Sequence, residues 1–318
     1  MGFASIPFNI ISRAQAVARI IRREGCEAVV ACTGDFYDLP ASYLASRLAR
    51  VPFYPYIFDY YSQQWTEEKA RRLAERFEPR LMKGARGIIV PNEFMRDELC
   101  ARYNVEASVI RNCCDLSLYE SPDANDICGN DSGDEIRIVY TGALSEAQIE
   151  AFRNLMKALD VLGRASVRLH LYTAQSPSVL DEKGIAGPII FHGHKTTSEA
   201  ALIQRRADVL FLPLAFDSKY PAVIKTSAPG KMGDYLAARR PVLVHAPPDS
   251  FLAWYFREHG CGLVVDENDP AKLAEGLERL LKDCDLRAQL CSRAWERALS
   301  DFSDHVAREK FARLLKLE

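Results

Sequence analysis

Residues 225–244 read Lys225-Thr-Ser-Ala-Pro-Gly-Lys-Met-Gly-Asp-Tyr-Leu-Ala-Ala-Arg-Arg-Pro-Val-Leu-Val244. The composition predicts a polar loop, a helix beginning near Pro229, and a buried strand over Val242–Val244. Proline suits the first turn of a helix, where its missing N–H costs nothing. Met232, Tyr235, Leu236 and the Ala237-Ala238 pair form one apolar face. A loop entering a helix N-terminus offers free N–H groups and a positive dipole end, and both attract phosphate. Lys231 adds a mobile cation in the first turn, and Asp234 stands one turn from Gly230, placed to accept from a sugar hydroxyl. On these residues alone, a diphosphate clamp with a hydroxyl reader beside it and a plain loop–helix–strand unit of an α/β sheet stand level.

Outward from this stretch, strands and helices alternate. Upstream lie strand Ile136–Tyr140 with the turn Thr141-Gly-Ala-Leu144, helix 146–163, strands 168–172 and 189–191, helix 198–206 and strand 208–212. Downstream lie strand 262–265, helix 270–283 and a helical tail. The N-terminal part repeats the alternation with helix 12–24, strand 27–32, helix 41–49, strand 53–58, helix 67–83, strand 87–90 and a helix opening at Pro91. Such alternation means parallel sheets with right-handed crossovers. Loops at the carboxyl ends of the strands are the ligand-prone positions of open α/β sheets. Asp35 and Asp59-Tyr60 lie at two such ends. Pro55 within its strand points to an edge or a bulge.

A chain of 318 residues suggests two domains. Residues 121–135 cluster Gly, Pro, Asn and Asp, a linker composition. With 41 basic and 43 acidic residues the net charge is −2, so nucleic acid is not an expected partner. No apolar run reaches the length of a membrane span, and the N-terminus lacks the basic start and apolar core of a signal peptide. The nine cysteines contain no C-x-x-C pair, which disfavours a metal site. Cys26, Cys32 and Cys261 flank apolar strands and read as small core residues in a reducing cytoplasm. His192 and His194 read as walls of a nucleotide pocket rather than metal ligands. Arg205-Arg206 and Arg239-Arg240 read as solvated helix ends.

Pro229, Lys231, Asp234, Tyr235, Leu236, Ala237, Pro241 and Val242 together resemble the donor-site segment of family 4 glycosyltransferases of the GT-B fold. Ala85, Ile89, Val90, Pro91, Glu93, Leu99, Val109, Ile110, Asn112 and Asp115 resemble the last strand and exit of that family's N-terminal domain. There are departures. Asp234 stands for the usual Glu, Arg239 for the usual Gly, Cys113 for the Gly of the Asn-Gly turn, and Thr226 for the first acid of a pair. The Arg and Lys that often follow the first C-terminal strand are absent, since Ala143 and Leu144 follow Gly142.

The resemblance implies two Rossmann-like parallel-sheet domains of the α/β class, with the N-terminal one incomplete because its first strand and Gly-rich loop are not found. The expected division is an acceptor-side domain over 1–120, a linker over 121–135, a nucleotide-sugar domain over 136–295 and a C-terminal helix over 296–318 packing back toward the N-terminal domain. The implied activity is retaining transfer from a nucleoside-diphosphate sugar, of UDP or GDP type, to a glycan, lipid-linked or small-molecule acceptor. No permanent cofactor and no metal are expected. Carried over by position, Asp59 and Lys231 take catalytic roles, and Gly142, His194, Thr226, Pro229, Gly230, Lys231 and Asp234 face the donor. Asp35 and Tyr60 face the acceptor. A cytoplasmic protein is expected, with peripheral membrane contact and an oligomer or partner over the incomplete domain as further expectations. The competing expectations are a sugar-nucleotide epimerase and a catalytically silent remnant that binds nucleotide or a partner.

Overall fold

The computed structural model describes residues 6–65, 67–120 and 135–316. The chain divides into two compact units, one of residues 1–111 with 308–318 and one of residues 112–307. Most of the expected linker, residues 121–134, lies outside the described residues.

The first unit contains α1 (Ile6–Glu24), β1 (Val29–Cys32), α2 (Asp38–Ala49), β2 (Phe53–Tyr56), α3 (Glu68–Lys83), β3 (Ile88–Val90), α4 (Glu93–Tyr103) and β4 (Ala107–Val109). Its sheet is parallel in the order β1-β2-β3-β4. The order never reverses, so right-handed crossovers place the connecting helices on one face. Phe53, Ile88 and Val90 pack there with Ala14, Leu39, Ala45 and Leu81. Tyr54, Tyr56 and Ile89 alternate onto the other face and are also buried. Phe311 meets Tyr56 edge-on at 5.8 Å, and a Cβ on Gly87 would lie 3.2 Å from Leu314. The cover therefore comes from the end of the chain.

Two expectations are corrected here. Cys26 and Cys32 are exposed: Cys26 lies between α1 and β1, and Cys32 sits on the edge strand β1, where Val30 on the same face is also 40% exposed. Cys261 is buried. Pro55 sits in an interior strand. The Phe53 carbonyl and the Ile57 N–H bond to Arg86 and Ile89 on the β3 side, so Pro55 between them withholds its missing N–H from β3.

The second unit contains β5 (Ile136–Thr141), α5 (Ile149–Leu162), β6 (Val167–Tyr172), α6 (Ser178–Glu182), β7 (Ile189–His192), α7 (Thr197–Arg205) and β8 (Val209–Pro213). There follow α8 (Pro221–Thr226), α9 (Met232–Ala237), β9 (Val242–His245), α10 (Phe251–His259), β10 (Leu263–Val265), α11 (Pro270–Lys282), α12 (Cys284–Asp301) and α13 (Asp304–Leu315). From Arg308 onward α13 belongs to the first unit. The six parallel strands run β10-β9-β8-β5-β6-β7. The order turns back between β8 and β5, so helices cover both faces and the carboxyl end of β5 opens at a topological switch point. Ile138, Tyr140, Phe152, Leu169, Phe211 and Leu243 centre the core.

The deciding stretch folds differently at its start. Lys225 and Thr226 end a short helix, α8, and α9 begins only at Met232 with Lys231 as its N-cap. Pro229 therefore lies in the turn before α9, where its carbonyl accepts from the Met232 N–H at 2.9 Å. Pro229 still suits this place, because a turn needs a fixed φ as much as a first helical residue does.

Candidate functional site

A cleft of about 460 Å³ opens at the carboxyl ends of β5, β6 and β7 in the second unit. Its floor is Thr141-Gly142-Ala143, and α9 lends Lys231 and Asp234 to one wall. Tyr172 and Thr173 follow β6, His194 and Lys195 follow β7, and Gln204 reaches in from α7.

Gly142 has φ +117, a conformation side chains rarely adopt, and a Cβ there would lie 3.2 Å from the Lys231 Nζ. The absence of a side chain thus lets the lysine lie against the turn. The Lys231 ammonium donates to the Tyr140 hydroxyl at 2.6 Å and stands 3.9 Å from the centroid of that ring. Burial pushes its pKa down to about 7, against the attraction of Asp234. Burial likewise pushes the Asp234 carboxyl up to about 6, against the nearby Tyr119 hydroxyl, which it shares with Gln204, and the charge of Lys231. The charged forms of both groups are therefore poorly solvated, and a ligand presenting anionic and hydroxyl oxygens would satisfy both.

A polar lattice fixes the surroundings. The Tyr119 hydroxyl donates to Gln204 Oε1 at 2.6 Å, Gln204 Nε2 donates to Thr141 Oγ1 at 2.9 Å, and the Thr141 N–H donates to the Tyr235 hydroxyl at 3.0 Å. Each buried polar group thus has a partner, which holds the floor of the cleft in one arrangement.

Of the sequence-chosen donor residues, the cleft gathers Gly142, His194, Lys231 and Asp234. Thr226 is 3% exposed with its hydroxyl bonded to the Ala222 carbonyl, and neither it nor Pro229 or Gly230 lines the cleft. His192 is not a wall residue. Its ring stacks on Tyr172 at 4.2 Å and its Nε2 meets His170 Nδ1 at 3.2 Å. Arg239 is no solvated helix end, since its guanidinium lies 3.8 Å from the centroid of the Trp295 ring, and Arg240 Nε donates to the Arg205 carbonyl. Sequence reasoning missed Tyr140, Tyr119, Gln204 and Lys195. Lys195, adjacent to His194 and ahead of a helix cap, carried the one usable signal.

The acceptor-side candidates lie in the first unit. Both Asp35 oxygens are engaged: one accepts from Tyr37 and Asp38 N–H groups at the start of α2, and the other pairs with Arg13 at 2.7 Å. Burial holds the Asp59 carboxyl above the usual carboxylate range, and its N–H donates to Thr33 Oγ1 at 3.3 Å. Tyr60 is buried under Arg102, 5.5 Å from the guanidinium carbon, and its hydroxyl has no hydrogen-bond partner among the described residues. Among the described residues no three His, Cys, Asp or Glu side chains form a group that could hold a metal ion, and no helix is long and apolar enough to cross a membrane.

The profile described as Glycosyl transferases group 1 matches residues 135–283, and that described as Glycosyltransferase Family 4 matches residues 2–118. No curated protein matches the sequence significantly. Among solved structures, a glycosyltransferase from Rickettsia africae is similar at 15% identity and a TM-score of 0.70, over 98% of this chain and 83% of that one. HepE of Anabaena, solved with UDP and glucose, is similar at 17% identity and a TM-score of 0.70, over 95% and 81%. Sucrose-phosphate synthase from Thermosynechococcus elongatus gives 15%, 0.69, 95% and 76%. At these identities the structures establish the fold, and the two profiles between them span most of both units. The chain belongs to the GT-B glycosyltransferases of the family 4 type.

Proposed function

We propose that the cleft of the second unit holds a nucleoside-diphosphate sugar, of UDP or GDP type, and that the chain transfers its sugar with retention to a glycan, lipid-linked or small-molecule acceptor. The observation that carries this reading is the Lys231–Asp234 pair beside the Gly142 turn. In this reading the Lys231 cation would meet the leaving phosphates and the Asp234 carboxylate would accept from the ribose; both line one cleft, and burial shifts the pKa of each. HepE, of the same fold, was solved with UDP and glucose.

In the proposed reaction the bond from the sugar C1 to the phosphate oxygen breaks through an oxocarbenium-like state. The acceptor oxygen bonds C1 on the same face, and its proton passes to the departing diphosphate. Lys231 stabilises the charge that develops on the leaving phosphate. Asp59, with its raised pKa, is the acceptor-side group of this proposal. No metal takes part in it, and cytoplasmic action with peripheral membrane contact and an oligomer belongs to the same reading.

A second reading, a catalytically silent nucleotide binder, draws on Ala143 and Leu144 standing where related sequences often carry cations. Calorimetric titration with UDP, GDP and ADP, repeated on Lys231→Ala, tests the site. Selective binding of one diphosphate, weakened at least tenfold in the variant, is expected. Binding that the substitution leaves unchanged overturns the clamp. Hydrolysis or transfer from the matching nucleotide sugar then separates the enzyme from the silent binder.

A further inference from the structure

The Gly142 turn supplies no side-chain cation, and Lys231, the N-cap of α9, is the cation that lies against it. Tyr140 is fully buried on β5, with its ring locked edge-on against Phe152 at 4.9 Å and 84°. Its hydroxyl donates to the Ala143 carbonyl at 2.8 Å and accepts from the Lys231 ammonium at 2.6 Å. One oxygen therefore ties the cation to the backbone of the turn that faces the ligand. Gly142, with no side chain, leaves the lysine room to lie there. We propose that Tyr140 is the positioning residue of the donor cleft: its hydroxyl holds the Lys231 ammonium against the Gly142–Ala143 turn, in register for a diphosphate. This rests on the donor reading above.

The chemistry of the hydroxyl suits the task. Burial and the neighbouring Tyr235 keep it protonated far above neutral pH, so it always has a proton for Ala143 and a lone pair for Lys231. An acceptor at 2.6 Å favours the charged form of the lysine, in opposition to desolvation. The titratable groups around Lys231 are Tyr140 on β5, Asp234 and Tyr235 on α9, Tyr119 behind Asp234, and His194 and Lys195 across the cleft.

Tyr140→Phe keeps the ring against Phe152 and removes only the hydroxyl. Lys231 is titrated in both proteins by NMR of carbon-13-labelled lysine, with its resonance assigned by its loss in Lys231→Arg. The midpoint is expected to fall by about one pH unit in the variant, as loss of a hydrogen bond to a charged group implies. UDP affinity at pH 6.5 is expected to fall about tenfold. Phe152→Leu disturbs the ring without touching the hydroxyl and should leave the midpoint in place. An unchanged midpoint in Tyr140→Phe, or an equal fall in Phe152→Leu, overturns the proposal whether or not UDP binds. A lowered midpoint with no UDP binding by either protein upholds the hold on Lys231 and rejects the donor reading instead.

Discussion

At the residue scale the two charges of the cleft are costly to the fold, because both are desolvated. The folded pKa of Lys231, about 7, lies below its unfolded value of 10.5. The unfolded chain therefore holds more protons between those limits, and stability rises with pH across that window. The folded pKa of Asp234, about 6, lies above its unfolded value of 3.8, so stability falls as pH rises from 3.8 to 6. The two penalties overlap between about pH 6 and 7, where both groups are largely charged. That window is also where a diphosphate sugar would use both charges, since its phosphates need the ammonium and its ribose the carboxylate. Calorimetric affinity for UDP is expected to peak there and to fall on either side. Asp234→Asn should remove the acidic limb and spare the alkaline one, and a flat profile in the wild type rejects the pairing. The macroscopic midpoints belong to the coupled pair, not to either residue. Gly142→Ala is a second residue-scale test. A methyl group at φ +117 costs roughly 1–3 kcal/mol of backbone strain and presses on Lys231. Thermal unfolding should come earlier, and UDP affinity should drop at least tenfold.

At the element scale the loop before α7 matters most, because it carries His194 and Lys195 into the cleft. It is anchored by a capping box in which Thr196 Oγ1 accepts from the Glu199 N–H and the Glu199 carboxylate accepts from the Thr196 N–H. Thr196→Ala should lower stability by about 1 kcal/mol in denaturant unfolding. It should also weaken nucleotide binding more than an exposed substitution elsewhere on α7. Elements were legible in the sequence wherever periodicity was long, as in α5 and α11. The strand alternation gave the α/β class and two parallel sheets. The start of α9 was misplaced because a proline after a polar run looks alike in a turn and in a first helical residue. Arg239 shows a different limit. It occupies the left-handed position, φ +54, where related sequences use glycine, and the contact that accompanies it comes from Trp295 on α12. Tyr140, Tyr119 and Gln204 were illegible for the same reason. On their own elements they resemble core residues, and their partners come from far along the chain, as Lys231 does for Tyr140, 91 positions away.

At the scale of the whole molecule, the sequence shows where strands alternate with helices but not which face of a sheet lacks cover. In the first unit the order β1-β2-β3-β4 leaves the face of Tyr54, Tyr56 and Ile89 with no crossover helix. The end of the chain, residues 308–316, belongs to that unit. Phe311 stands against Tyr56, and Leu314 packs over Gly87. Full burial of such side chains contributes on the order of 1.5–3 kcal/mol each, and the partly buried Phe311 and Leu314 contribute a share of that, which still matters against the marginal stability of a unit this size. Removal of residues 308–318 should therefore destabilise the first unit selectively. Hydrogen exchange should accelerate in β2 and β3 while β5, β8 and β9 keep their protection, and UDP affinity should stay within about threefold of the full chain. The milder Phe311→Ala should cost about 2 kcal/mol and speed exchange in the same two strands. Equal loss of protection in both sheets would show that the terminal segment stabilises the molecule as one cooperative body. Unchanged exchange in β2 would show that the Tyr56 face is held without it.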